Sequence, residues 1–153
     1  MATAAALSVT TNNKWMSPHD DHVNSPCIIT LDWTSTDLGA VSLGICSTYN
    51  AAWLAAGKQL PYVAAINGRI SSIETIPGLL GVPATDPPTN LYDITLLDAY
   101  GYDVADGNLG DLSSSLAKTL VFDTPIPINS ELTLTISAAG NALHGRIIIT
   151  VVK

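Results

Sequence analysis

The acids of this chain gather in one stretch. From Asn90 to Asp111 the sequence reads NLYDITLLDAYGYDVADGNLGD and holds Asp93, Asp98, Asp103, Asp106 and Asp111. Carboxylates set this close together suggest either a calcium site or a catalytic pair. Calcium takes about six to eight oxygen ligands, which a D-x-D-x-D-G loop supplies from alternate positions. From Asp98 the spacing here is D-x4-D-x2-D-G-N-x2-D, a different pattern. A catalytic pair needs an environment that drives the two carboxyl pKa values apart, and no part of this pattern marks a pocket. Asp and Asn are also good turn formers, because their side chains bond nearby backbone amides. The loop 98–111 is therefore read as turn and surface acids, with no metal and no catalytic residue.

Other chemistry is as thinly supplied. His19-Asp20-Asp21-His22 has zinc-like spacing on a helix. However, Pro18 precedes it and the remaining histidine, His144, lies in a distant turn. With three histidines in all and no G-x-S-x-G elbow, a nucleophilic triad is not indicated. No phosphate-binding glycine loop is present. Cys27 and Cys46 carry no local catalytic signature. The expectation is a protein that is not an enzyme and takes no cofactor. Aromatic side chains leave one further option, a sugar platform or an interface anchor. Trp33 and Tyr92 fall at core positions by alternation. Tyr100 and Tyr102 flank Gly101 in the acidic loop and are expected to be exposed.

The elements that position these residues are strands. Ile29, Leu31 and Trp33 alternate with polar residues, as do Val41, Leu43 and Ile45, then Tyr92, Ile94 and Leu96, then Leu132, Leu134 and Ile136. Gly68–Ile76 and Lys118–Asp123 add two more strands. The run Ile147–Val152 is continuously apolar or β-branched and reads as a strand buried on both faces. STDLG is expected to close a hairpin between the first two strands, with 29 facing 45, 31 facing 43 and 33 facing 41. In that register Cys27 and Cys46 lie on opposite faces, so two free thiols are expected. In SAAGNALHG, Gly140 and Asn141 are expected to supply positive φ. Pro77-Gly78, GVPATDPPTN, Pro125 and Pro127 read as breakers. The best helical candidate is 50–58, capped by Asn50.

Short strands between Gly and Pro turns predict an all-β fold, an antiparallel β-sandwich, jelly-roll-like. The expected organisation is an extended N-terminal arm over 1–26, with an edge strand at 6–10, and a β-sandwich domain over 27–153. Trp15 and Met16 give that arm a reason to cover a neighbour.

Composition agrees with permanent assembly. Charged residues make up 12% of the 153 and apolar ones 47%, against about 25% charged in an average soluble domain. Surfaces so poor in charge usually meet other protein. The net charge of −7, with six Lys and Arg, argues against nucleic acid and against an anionic membrane as partners. The start MATAAALSVTTNNKW has no basic leader, so synthesis in a cytoplasm is expected.

Four segments carry a resemblance: ITLDWTSTDLGAVSLG, GRISSIETIPG, PTNLYDITLLDAYGYDVADGNLGD and ELTLTISAAGNALHGRIIITVV. The most specific parts are P-T-N-x-Y-D-x-T-L-x-D-x-x-G over Pro88–Gly101 and A-G-N over Ala139–Asn141. The chain resembles small β-rich virion structural proteins of tailed bacteriophages, most of all the capsid cement or decoration proteins. The segment 49–67 and the long arm depart from that pattern. The resemblance implies a homotrimer on the capsid exterior, assembled in the host cytoplasm, with the major capsid protein as partner. A head–tail connector or a glycan-binding tail component is the alternative. The partner contacts expected on this reading are Trp15 and Met16 in the arm, Trp53 and Leu54 in the inserted segment, and Tyr100 and Tyr102.

Overall fold

The computed structural model describes residues 6–11, 27–35, 41–44, 68–78, 86–128 and 132–152. Among these the chain is all-β and antiparallel, without a helix. The strands are β1 (Ala6–Thr11), β2 (Cys27–Thr34), β3 (Val41–Gly44), β4 (Gly68–Pro77), β5 (Asp93–Leu97), β6 (Lys118–Ile128), β7 (Thr133–Ser137) and β8 (His144–Val152). One sheet has the order β1-β2-β8-β4-β6 and the other β3-β7-β5.

Period-2 alternation puts one side of each strand into a common core. Ile29, Leu31 and Trp33 of β2, Ile70 and Ile73 of β4, and Ile147, Ile149 and Val151 of β8 are buried there. They share it with Ile94 and Leu96 of β5, Leu134 and Ile136 of β7, and Tyr92. Both sheets thus close on one apolar layer. The rings of Trp33 and Tyr92 link the two, with centroids 6.0 Å apart and planes tilted by 47°. Gly145 lies opposite Trp33 in the β2–β8 register. A Cβ on Gly145 would run into the indole, so only glycine admits the ring there.

Several expectations change. β2 does not form a hairpin with β3. It pairs with β1 and β8, while Val41 and Leu43 of β3 face Ile136 and Leu134 of β7. Alternation says which face of a strand is apolar but not which strand lies beside it. The register that separated the two cysteines is therefore absent, and Cys46 lies outside the described residues. Pro125 and Pro127 fall inside β6 rather than ending it, but the β4–β6 register shifts between Val121 and Ile126, the stretch that holds Pro125. An edge strand can carry proline because one of its edges has no ladder to donate to. β8 is buried on one face only: Ile147, Ile149 and Val151 are buried, and Ile148, Thr150 and Val152 are half-buried. The second sheet covers one side of β8, and no described residue covers the other fully. The edge strand expected at 6–10 is β1, which lines up with β2 from Ala6 opposite Thr34 to Thr11 opposite Ile29. The rest of the arm, the helical candidate at 50–58 and His19 to His22 lie outside the described residues.

The turn before β8 is built by tertiary bonds. Positive φ occurs at Ala138, Gly140 and Ala142, not at Asn141. Buried Ser35 holds this turn: its Oγ donates to the Gly140 carbonyl at 2.7 Å and accepts from the Leu143 amide at 3.0 Å. The Thr89 amide donates to the Ala139 carbonyl at 2.8 Å from the other side.

Candidate functional site

The acidic loop follows β5 and folds back along its outer edge. The Val104 amide donates to the Leu96 carbonyl at 2.8 Å and the Ile94 amide to the Leu109 carbonyl at 2.9 Å. The Leu112 amide donates to the Tyr92 carbonyl at 2.8 Å. Val104, Ala105, Leu109 and Leu112 are buried, so this loop completes the core. An open strand edge is thereby sealed by the chain that leaves it.

The carboxylates make that path possible. Asp103 Oδ1 accepts from the amides of Leu96 and Ala105, both at 3.1 Å, and its Oδ2 accepts from Gly107 at 2.9 Å. Asp98 Oδ1 accepts from the amides of Tyr100 at 2.9 Å and Tyr102 at 3.0 Å. Asp93 Oδ1 accepts from the Asp111 amide at 2.8 Å. Asp106 and Asp111 stand in the left-handed region, with φ of 50° each, a conformation that Asp tolerates better than most residues. Lys118 Nζ closes the far end on the Asn108 carbonyl. Three of the five acids thus point at backbone amides. Among the described residues no group of three or more His, Cys, Asp or Glu is arranged to hold a metal ion.

What this loop presents to solvent is aromatic. Gly101, at φ of 85°, turns the chain between Tyr100 and Tyr102. The two side chains are 84% and 72% exposed. A single carboxylate, Asp98, fixes both of their amides. Two large rings therefore project from a braced turn, which limits the ordering entropy lost when they are covered. Of the six expected contacts these two are placed. Trp15, Met16, Trp53 and Leu54 lie outside the described residues.

Exposed apolar residues also appear where none were singled out. Leu91 is 57% exposed, Leu116 71% and Val121 73%. Leu91 stands at φ of 66°, unusual for leucine. The Leu91 amide meets the Leu112 carbonyl, and the Ser114 amide meets Asn90 Oδ1, so positions 91 and 116 lie toward the same end of the molecule. Val121 was legible in principle: once Leu120 and Phe122 pack inward, alternation turns Val121 out.

Among the described residues, the outer face of the five-stranded sheet carries an ion pair between Asp32 and Arg146. Arg146 Nε and Nη2 donate to the two oxygens of Asp32 at 2.5 and 2.8 Å, and the hydrogen bond to Asp32 raises the guanidinium pKa. Burial pushes the Tyr92 hydroxyl up to about 12. The chain matches no protein-family model, and no curated protein or solved structure matches it either.

Proposed function

We propose that this chain is a structural component of a bacteriophage particle, a cement or decoration protein that braces the head shell by bridging major capsid protein subunits. The observation that carries this reading is the Tyr100-Gly101-Tyr102 turn, two solvent-facing rings on a loop braced by Asp98. Rigid aromatic anchors of this kind dominate protein interfaces. The strand order gives further support. A β2-β8-β4-β6 run packed on β3-β7-β5 follows the alternation of a jelly roll with the strand after β5 replaced by the sealing loop. Jelly rolls recur in viral capsid and lectin domains, although a fold alone does not assign a function.

On this reading the mechanism is burial. A homotrimer places Tyr100 and Tyr102 against the shell, while residues 6–11 of the expected arm stay in the chain's own sheet as β1. Each standard interface removes about 1,600 Å² from water, and repetition over the shell multiplies the effect without chemistry. The same two rings favour one alternative, a glycan-binding tail or connector component, because tyrosines also stack on sugars.

Quantitative mass spectrometry of purified particles separates the two. A copy number equal to the major shell protein, or a simple fraction of it, is the expected result. A few copies per particle would move the protein to the neck or tail. A glycan array, with the Tyr100→Ala and Tyr102→Ala variants as controls, would then test sugar binding. Absence of the chain from purified particles overturns both.

A further inference from the structure

The two ends of the sandwich differ. One end holds Cys27, Gly68, Ile128 and Val151 of the five-stranded sheet, aligned by its strand registers. Gly44, Leu97 and Thr133 of the second sheet lie at the same end, because β6 leads into β7 there. The chain returns from β7 to β8 at the opposite end, through the turn that Ser35 holds. That opposite end has Thr34, Pro77, Lys118, Ser137 and His144, with exposed Leu91 and Leu116 beside them.

The aromatic residues follow this polarity. The chain has three Trp, five Tyr and one Phe. Trp33 and Tyr92 are buried in the core and Phe122 packs against it. The other six are all attached at the first end. Tyr100 and Tyr102 come just after Leu97, their amides fixed by Asp98. Trp15 belongs to the connection from Thr11 to Cys27, and Tyr49, Trp53 and Tyr62 to the connection from Gly44 to Gly68. Thr11, Cys27, Gly44 and Gly68 all stand at that end. The connections at the opposite end, 36–40 and 79–85, hold no aromatic residue, and neither do 86–91 and 112–117.

We propose that the Tyr100–Tyr102 end is the attachment end of the molecule, seated on another protein, with the Leu91–Leu116 end turned away from it. Aromatic side chains bury about 150–250 Å² each, and the residues that dominate interfaces are rich in Trp and Tyr and poor in Leu. The exposed leucines therefore make the weaker contact end. The occupant is a protein surface rather than a sugar, because the attachment points belong to both sheets, about 10 Å apart, and so span more than one groove. A matching surface is low in charge, with apolar hollows for the rings and acceptors for the tyrosine hydroxyls. Only the identity of the partner, the major shell protein, rests on the cement reading; the polarity does not.

The test uses the full chain in the cells that make it natively. A photo-crosslinking phenylalanine analogue replaces Tyr100 in one protein and Leu116 in another, two exposed positions at opposite ends. Both proteins are expected to keep the parent's melting temperature. After illumination, mass spectrometry is expected to find a second protein joined to position 100 and none joined to position 116. If that protein is the major shell protein, both readings stand. If it is any other protein, the polarity stands and the cement reading falls. Equal adducts from both positions overturn the polarity, as does a protein adduct from position 116 alone. No protein adduct at position 100, or only a second copy of this chain or a glycan there, overturns it as well.

Discussion

Asp103 holds Leu96 by its backbone. Its carboxylate takes the Leu96 amide at 3.1 Å, on the outer edge of β5, while accepting from Ala105 and Gly107 in its own loop. One of the acids weighed together in the sequence as a calcium loop is thus a clamp between a strand and the loop that seals it. Replacing it with Ala strands three amide donors, Leu96 and Ala105 belonging to fully buried residues. Asp103→Ala is expected to destabilise the fold by about 2–4 kcal/mol, given about 1–3 kcal/mol for each buried donor left unpaired and partial access to water. Asp103→Asn, which keeps one acceptor oxygen, should recover part of the loss. Chemical denaturation of the three proteins measures this, and equal midpoints would remove the clamp.

Gly145 is where the indole of Trp33 passes over the backbone of β8. Gly145→Ala is expected to lower stability by about 1–3 kcal/mol, the usual range for forcing extra volume into a packed core. Gly107→Ala is the contrast, since a Cβ there meets nothing within 4 Å. Its penalty is limited to the positive φ. Thermal melts of both variants should rank Gly145→Ala well below Gly107→Ala.

Tyr92 carries a pH dependence of known sign. Its hydroxyl pKa is raised by burial, from 10.0 to about 12. Unfolded chains lose this proton first as pH rises, so the folded state binds more protons between those values. The stabilisation is complete below pH 10 and is lost as pH climbs through the folded value. Unfolding free energy is therefore expected to fall with pH in that alkaline range. Tyr92→Phe should flatten the slope, and an unchanged slope in that variant would assign it to another group.

Asp32 and Arg146 sit opposite one another on the outer sheet face, both partly exposed. A double-mutant cycle with Asp32→Ala and Arg146→Ala is expected to give a coupling of about 0.5–1 kcal/mol, at the upper end for solvent-exposed pairs because the contact is bidentate. It should shrink in high salt. A coupling that does not respond to salt would mean that packing of the Arg146 stem, rather than charge, links the two.

Period-2 alternation carried much of this molecule on its own. The all-β class and the inward placing of Trp33, Tyr92, Ile94, Leu96, Leu134 and Ile136 were legible. So was the exposure of Tyr100 and Tyr102 beside Gly101, because these properties are local to a strand or turn. Which strands are neighbours was not legible. STDLG looks like a hairpin turn, yet β2 and β3 enter different sheets, since pairing depends on partners up to 110 residues or more away, as Thr34 with His144 and Asp32 with Arg146 illustrate. The meaning of Pro125 and Pro127 turned on the same fact. Proline breaks a strand paired on both sides, and only the tertiary arrangement puts β6 at an edge. The acids divide along this line as well. Composition marks them as turn formers, but the clamp from Asp103 to Leu96 exists only once the loop has folded back over β5.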